Sequence, residues 1–261
     1  MSVLAPGPVR RIVLALSLIV LLGVIAAMAL AGRGDQGRPV VWRGEVGLFT
    51  SLPILWREAP DLTDLLESEA PPHWVQQAIA EHATLQGIDT LSPGGGDLPL
   101  SADAILIVAQ PRPLSPDENV ALDDWVRGGG RLLLFADPML TSHSAFALGD
   151  SRRPQDVVLL SPILSRWGLQ LRFDEDQPAG EREVELLGQA MPVNLPGSFA
   201  LLAGAKDCSV EGNGIAARCR IGAGRVIAVA DAAMLEEVPA GEVAARRTML
   251  ERLLEKLAEA D

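Results

Sequence analysis

The 261-residue sequence contains no tyrosine, and only 4% of its residues are aromatic. Carbohydrate-binding and single-stranded nucleic-acid surfaces are built on aromatic stacking, so this composition disfavours both. Basic residues are also in the minority, since Lys and Arg number 22 against 34 Asp and Glu, for a formal net charge of -12. Nucleic-acid binding needs clustered Lys and Arg to neutralise phosphates. We therefore expect no nucleic-acid partner.

Recognisable catalytic and cofactor motifs are missing as well. The run Gly94-Gly95-Gly96 is not followed by the Gly-Lys-Ser/Thr of a phosphate-binding loop, so it predicts a turn. The histidines His73, His82 and His143 have no Cys or Ser partner in a catalytic sequence pattern. We therefore expect no catalytic residues, no cofactor and no metal, and the sequence favours a protein that is not an enzyme.

One long stretch near the N-terminus lacks charge altogether. Residues 12–31 are uncharged, and about 20 helical residues cross a hydrocarbon core of roughly 30 Å. Arg10 and Arg11 precede the stretch, and the positive-inside tendency then places the N-terminus in the cytoplasm. The sequence predicts a single-pass inner-membrane protein with a cytoplasmic tail at 1–11, a transmembrane anchor at 12–31, a linker at 32–39 and an exported, periplasmic domain at 40–261.

Two other interpretations of the uncharged stretch stay open. Ala27-Met28-Ala29 fits a small-residue cleavage site, which would make the stretch a cleaved signal peptide, although signal h-regions usually have about 7–15 residues. A helix buried within the domain is the other alternative. Arg33, Arg38 and Arg43 follow the stretch, so the charge asymmetry across it is modest.

Cysteine occurs only twice, at Cys208 and Cys219. The two residues flank a segment with Asn213-Gly214 at its centre, and Asn-Gly is a turn signal typical of a β-hairpin. Cysteines at the ends of a hairpin can reach bonding distance, and an oxidising compartment keeps them joined. The sequence therefore predicts a disulfide, with two buried free thiols as the alternative. A metal site is not expected, because there is no CxxC motif and no histidine nearby.

Apolar strands alternate with capped helices along the exported part. Residues 104–109 and 131–136 are apolar runs of the kind expected in strands buried on both faces. Between them, Ser115-Pro116-Asp117-Glu118 has the N-cap, the first-turn proline and the capping-box glutamate of a helix start. Three glycines at 128–130 end this helix, which completes a right-handed βαβ unit. Further strands are predicted at 45–50, 88–91, 169–173, within 180–202 and at 225–230, and further helices at 72–86, 161–167 and 241–260.

Part of this pattern resembles a known family. Residues 104–109, followed by SPDENVALDDWVRGGGRLLLFADP at 115–138, resemble a domain of the gliding-motility-type ABC-transporter auxiliary family. The segment GAGRVIAVADAAML at 222–235 is similar to the closing strand of that domain. The resemblance spans residues 46–235. It implies a class I glutamine amidotransferase-like fold, which is an α/β fold with a flavodoxin-like, mostly parallel sheet and flanking helices.

The same resemblance implies a relative without catalysis. Amidotransferases carry a nucleophilic cysteine on a sharp turn after a strand, and this sequence has Asp137-Pro138-Met139 after its strand. There is also no ATP-binding motif, so the chain itself would not energise transport. The partners that the resemblance implies are the permease and ATPase subunits of an ABC transporter.

Polar residues follow the apolar runs directly. The carboxyl ends of parallel strands share one rim of a sheet, and ligands of open α/β sheets bind beyond that rim. If the rim is functional, we expect Asp137 and Asp231 to be solvated carboxylates. If they are caps, we expect them to bind backbone amides of their loops. The candidate ligand-binding residues are Thr50, Ser51, Gln110, Asp137, His143 and Asp231.

Three functions are compatible with these features. The first is a non-enzymatic, membrane-anchored accessory or ligand-binding component of an ABC-type transport or export system. The second is an envelope hydrolase in which Asp137 and Asp231 hold a divalent metal, with a further ligand such as His143. The third is a structural scaffold of the cell envelope.

Overall fold

The protein is represented by a computed structural model, which describes residues 42–59 and 71–259. The tail, anchor and linker predicted for residues 1–39 lie outside the described residues. Among the helices of residues 42–59 and 71–259, none is long and apolar enough to cross a membrane. The anchor therefore stays a prediction, and so do the domain boundaries that depend on it.

Strands and helices alternate through the first half of the described chain, and strands dominate the second half. The helices are α1 (Trp74–Ala80), α2 (Pro116–Arg127), α3 (Ser161–Arg166) and α4 (Ala240–Ala258). The strands are β1 (Glu45–Thr50), β2 (Thr84–Gly87), β3 (Ile105–Ala109), β4 (Arg131–Phe135), β5 (Leu169–Arg172), β6 (Arg182–Leu186), β7 (Gln189–Val193), β8 (Ser198–Leu201), β9 (Cys208–Glu211), β10 (Ala216–Ile221) and β11 (Gly224–Val229). Short 3-10 turns lie at Pro93–Gly95, Gly212–Gly214 and Ala233–Leu235.

The main sheet has seven strands in the order β2-β1-β3-β4-β11-β10-β9. The first five strands of that order run parallel to one another, and β10 is antiparallel to both β11 and β9. Counted along the chain, the five parallel strands follow the order 2-1-3-4-5, as in flavodoxin-like doubly wound sheets. Two small antiparallel sheets, β5-β8 and β6-β7, lie outside the main sheet. The prediction of an α/β fold with a mostly parallel sheet and flanking helices is confirmed.

The centre of the sheet is formed by β3 and β4, whose side chains are buried on both faces. Leu106, Val108, Leu132 and Leu133 have no exposed surface. Burying each of these aliphatic side chains contributes about 1.5–3 kcal/mol before the entropy cost of ordering it. The continuous apolar runs seen in the sequence are therefore the consequence of helices and loops covering both faces of the sheet.

Helix α2 begins after the N-cap residue Ser115 and ends before Gly128, as the sequence predicted. The Ser115 hydroxyl accepts a hydrogen bond from the Glu118 N–H, and the Glu118 carboxylate accepts one from the Ser115 N–H, which forms a complete capping box. The end of the helix packs closely against β11. A Cβ atom at Gly224 would lie 1.9 Å from the Val126 carbonyl oxygen, so only glycine fits there.

Two predicted elements differ from the structure. The strand predicted at 88–91 is wrong, because β2 is Thr84–Gly87 and pairs with β1 from Glu45 to Leu48. Ile88 and Leu91 are buried, but they pack into the core from a loop. The helix predicted at 72–86 is only Trp74–Ala80 in the structure.

The cysteine segment forms an antiparallel pair of strands. Cys208 of β9 stands directly opposite Cys219 of β10, and a 3-10 turn at Gly212–Gly214 connects the two strands. Asn213 in that turn has a φ of 56°, in the left-handed region that Asn tolerates. The structure joins the two cysteines by a disulfide with an S–S distance of 1.95 Å.

Candidate functional site at the carboxyl edge of the sheet

The parallel strands β1, β3, β4 and β11 all end at one edge of the sheet. The rim residues predicted from the sequence follow these four ends, and hydrogen bonds link them across the strands. The Thr50 hydroxyl donates to the Ala109 carbonyl at 2.7 Å, and the Ser51 hydroxyl donates to the Gln110 carbonyl. The end of β1 is thereby fastened to the end of β3.

Gln110 is the central link of this edge. Its backbone has a φ of 42°, a left-handed conformation that costs a non-glycine residue about 1–2 kcal/mol. Its fully buried side chain accepts a hydrogen bond from the Asp137 N–H at 3.0 Å and donates to the Asp137 carbonyl at 3.1 Å. It also donates to the Gln155 carbonyl at 2.7 Å. These hydrogen bonds offset the strain and join the ends of β3 and β4.

Asp137, which follows β4, has no exposed surface. One carboxylate oxygen accepts the Met139 N–H at 2.8 Å, and the other accepts the Ala232 N–H at 3.1 Å. The second bond reaches from the end of β4 to the segment after β11. Asp137 is therefore a loop cap that ties two strand ends together. Of the two alternatives given for this residue, the structure shows the cap and not the solvated carboxylate.

Asp231, which follows β11, has the same arrangement. It has no exposed surface, and its two oxygens accept the Ala233 N–H at 2.7 Å and the Asn194 N–H at 2.9 Å. The second of these bonds holds the segment that follows β7 against the end of β11. Here too the structure shows the cap alternative and not the solvated carboxylate, because segments far away in sequence cover the rim.

The two buried carboxyl groups influence each other's protonation. Burial raises the pKa of Asp137 to about 6, against the opposing effect of the Met139 and Ala232 amides. Burial also raises the pKa of Asp231 well above its ordinary value, and the charge of Asp137 adds to this rise. Because two negative charges in one apolar region repel, the pair favours a state that retains a proton.

An open cleft of about 700 Å³ lies at this same edge. Its walls come from the loop after β1, the start of α1, the loop after β4 and the segment after β11. His143 lines the cleft and is exposed. The other five predicted residues do not line it, and they form the buried network from which the cleft loops extend. The residues predicted from the sequence therefore lie at the carboxyl edge of the sheet, but only His143 among them lines the cleft.

The cleft loops after β1 and β4 are held together by Glu58. Its carboxylate accepts hydrogen bonds from the Ser144 hydroxyl at 2.8 Å and from the Ala145 N–H at 2.6 Å. Trp56, which is 40% exposed, lies beside Phe146 with ring centroids 6.4 Å apart. One carboxylate and one aromatic contact therefore set the separation of these two walls.

His73 is a cleft residue that the sequence did not single out. Its Nδ1 accepts the Val75 N–H at 3.2 Å and caps the start of α1. The accepting nitrogen carries no proton, so the neutral ring carries its proton on Nε2. Burial lowers the pKa of His73, against the opposing charge of Glu237. His73 therefore offers the cleft a hydrogen-bond donor and no free ring lone pair.

Glu236 is a second lining residue that was missed. Burial raises its pKa, and the charge of Arg246 opposes the rise. Its Oε1 is buried and has no hydrogen-bond partner among the described residues. The signal that could have found Glu236 and Glu237 is their place in sequence, on the segment that follows Asp231 and β11.

The buried network and the cleft offer different chemical groups. Within the described ranges there is no group of three or more His, Cys, Asp and Glu side chains placed to hold a metal ion. All four oxygens of Asp137 and Asp231 are engaged by backbone amides. The cleft instead offers an aromatic face at Trp56 and hydrogen-bonding groups at His73 and Gln76.

Comparison with known proteins identifies a family by sequence. A family profile described as Domain of unknown function (DUF4350) matches residues 77–237, which is more than half of the chain. No curated protein matches the chain in sequence.

Solved structures give only distant likenesses. A GH42 β-galactosidase from G. stearothermophilus is 13% identical with a TM-score of 0.46, over 82% of this chain and 30% of that chain. A cytoplasmic protein from Salmonella typhimurium LT2 is 10% identical with a TM-score of 0.44, over 84% of this chain and 100% of that chain. A putative ThuA-like protein from Bacteroides uniformis is 9% identical with a TM-score of 0.40, over 87% and 93%.

The chain spans about a third of the length of the glycosidases that it resembles. All three TM-scores given above lie below 0.5. The fold is therefore defined by the order and direction of its own strands, and none of these likenesses assigns an activity to the chain.

Proposed function

The chain belongs to the family described as Domain of unknown function (DUF4350), and we propose that it is a non-enzymatic, membrane-anchored accessory component that binds a ligand in the cleft at the carboxyl edge of its sheet. The observation that carries the proposal is the state of Asp137 and Asp231. Both carboxylates are buried and serve as caps for loops. In the part of the open cleft that the structure describes, no nucleophilic side chain is hydrogen-bonded to a side chain that could act as its base.

A metal-dependent hydrolase is the weaker alternative. It would need lone pairs of Asp137 and Asp231 directed at a metal or a substrate. Each oxygen accepts a backbone N–H instead, and His143 lines a cleft that neither carboxylate reaches. Releasing either carboxylate for catalysis would leave one buried backbone amide, that of Ala232 or of Ala233, without an acceptor, at about 1–3 kcal/mol.

The proposed location is the outer face of the inner membrane, with residues 12–31 as anchor. The Cys208–Cys219 disulfide supports this location, because disulfides persist in oxidising compartments. The proposed partners are the permease and ATPase subunits of an ABC-type transporter, as the resemblance of residues 115–138 and 222–235 implies. In this arrangement the chain contributes binding, and the ATPase contributes energy.

Affinity capture of the full chain from solubilised membranes tests the proposal. Permease and ATPase subunits should be enriched with the wild type and reduced with Trp56→Ala, which removes an exposed aromatic side chain from the cleft wall. Leu201→Ala is the matched control, since Leu201 is 44% exposed and lies on β8. Transporter subunits captured equally with both variants would move the contact away from the cleft. Envelope proteins captured without any transporter subunit would favour the scaffold alternative.

A further inference from the structure

The cleft at the carboxyl edge of the sheet has an acidic lining. Among its described lining residues, three glutamates stand against one arginine: Glu58, Glu236 and Glu237 against Arg57. The Glu58 carboxylate is engaged by hydrogen bonds from the loop after β4. Glu236 and Glu237 follow one another on the segment after β11. The wall formed by that segment is therefore the negatively charged side of the cleft.

The carboxylate of Glu236 lacks a hydrogen-bonded counterion among the described residues. Its Oε1 is buried and accepts no hydrogen bond from them. Burial raises the pKa of Glu236, and Arg246 opposes the rise only through its charge, because the Arg246 guanidinium donates to the Ala233 carbonyl at 2.6 Å and to the Glu181 carboxylate. An unpaired buried acceptor is unfavourable. A protonated amine from outside the chain would supply the charge-assisted hydrogen bond that this carboxylate lacks.

Trp56 and His73 narrow the chemistry of the ligand further. Trp56 lines the same cleft and is 40% exposed, and the face of an indole ring attracts ammonium groups within about 6 Å of its centroid. His73 adds no positive charge that would repel a cation, because burial lowers its pKa, against the opposing charge of Glu237. An aromatic face, two carboxylates and a neutral histidine together favour an organic cation over an anion.

We propose that the ligand of this cleft is an organic cation, a protonated amine attached to an apolar group, with the ammonium at Glu236 and Glu237 and the apolar group against Trp56. This inference rests on the part of the proposed function that assigns ligand binding to the cleft, and it adds the chemical class of the ligand. The volume of about 700 Å³ is compatible with a small organic molecule, since ligand pockets have about 300–1,000 Å³.

Fluorine NMR with the purified, detergent-solubilised full chain tests the preference for a cation. The probe is para-fluorophenethylammonium. It is compared with para-fluorophenethyl alcohol and para-fluorophenylpropionate, which have the same ring and spacer but a neutral or a negative end. Line broadening against protein concentration gives the dissociation constants, with detergent micelles alone as the blank. The ammonium should bind, and the alcohol and the propionate should bind several-fold more weakly.

Variants of the cleft assign the binding to individual residues. Glu236→Gln and Glu237→Gln should each weaken binding of the ammonium several-fold and leave binding of the alcohol unchanged, because they remove charge at nearly constant shape. Glu175→Gln is the matched control, since it removes the same charge from an exposed position after β5 that does not line the cleft. Trp56→Leu keeps an apolar side chain without an aromatic face and should weaken binding of the ammonium about two- to fivefold.

Melting temperatures check that the variants are folded. Glu237 is exposed, so Glu237→Gln remains a valid test if Glu236→Gln does not fold. Binding of the alcohol or the propionate as tight as that of the ammonium overturns the inference of a cation, although the cleft would still bind a ligand. Broadening of none of the three probes, or an unchanged affinity for the ammonium in both glutamine variants, overturns it as well. The capture of transporter subunits uses no small ligand, so its failure alongside binding of the ammonium would refute the proposed partners and leave this inference standing.

Discussion

The free energy of unfolding is expected to fall as the pH rises from about 4 to about 6, because the folded protein holds the Asp137 proton more tightly than the unfolded chain does. The pKa of Asp137 is about 6 in the folded state, against an ordinary value of 3.8. Its stabilising contribution is therefore complete below pH 3.8 and is lost as the pH rises through about 6. A shift of about two pKa units corresponds to a loss of about 3 kcal/mol.

Urea unfolding of the full chain at several pH values between 4 and 8 measures this loss, with the fluorescence of the five tryptophans as the signal. Asp231 acts with the same sign, because its pKa is also raised. Glu118 acts with the opposite sign, since its hydrogen bond with Arg112 is the main cause that lowers its pKa to about 2. Its stabilising contribution is lost only as the pH falls below about 4.5, so Glu118 adds no slope between pH 5 and 7. In that range Glu236, whose pKa is raised by burial, acts with the same sign as the buried pair, and His73, whose pKa is lowered by burial, acts with the opposite sign.

Asp137→Asn separates the charge from the hydrogen bonds. The amide cannot titrate, so the slope of stability against pH should become shallower. Its NH2 group would face a backbone N–H in place of one carboxylate oxygen, and this costs on the order of 1–3 kcal/mol at every pH. Asp97→Asn, at an exposed position, is the control and should leave the slope unchanged. Stability that rises from pH 5 to 7 in the wild type, or an unchanged slope in Asp137→Asn, would refute this reasoning.

Other substitutions test separate features of the fold. Replacing Cys208 and Cys219 together by serine should lower the free energy of unfolding by about 2–3 kcal/mol in urea titrations, and two alkylatable thiols in protein taken from its native compartment would contradict the disulfide. Ser115→Ala removes the N-cap of α2 and should cost about 1 kcal/mol in the same assay. Gly224→Ala places a methyl group against a backbone carbonyl and should cost about 1–3 kcal/mol or more, so an unchanged melting temperature would argue against the close packing. A reporter enzyme that works only outside the cytoplasm should be active when fused after Asp261, and an inactive fusion would exclude the exported topology.

The strands that could be located from sequence are those with a signal in their own residues. β3 and β4 are buried on both faces, so almost every position is apolar, and the Ser115 capping box marks the helix between them. β2 has no such signal, because it is an edge strand with mostly exposed side chains. The strand was predicted instead at 88–91, because Ile88 and Leu91 are apolar. In the structure these two residues enter the core from a loop.

The candidate site could be predicted only in part. Parallel strands make their carboxyl ends converge, and this is enough to bring Ser51, Gln110 and Asp137 together from separate parts of the sequence. Whether the rim is open or covered depends on segments that follow other strands, such as the one that carries Asn194. No local sequence pattern predicts that such a segment folds over the end of β11, so the burial of the carboxylates could not be predicted from the sequence.

The segment between β5 and β9, which contains Asn194, also stabilises the rim. The Asn194 N–H is held by the Asp231 carboxylate, and the nearby Gly197 N–H donates to the Ala230 carbonyl at 2.7 Å. If this segment separated from the end of β11, water would reach Asp231, and the amide hydrogens of Asn194 and Gly197 would become exchangeable together. Exchange of the Asn194 and Gly197 amides with deuterium should consequently be slow and correlated, and it should accelerate together when Asp231 is replaced by alanine.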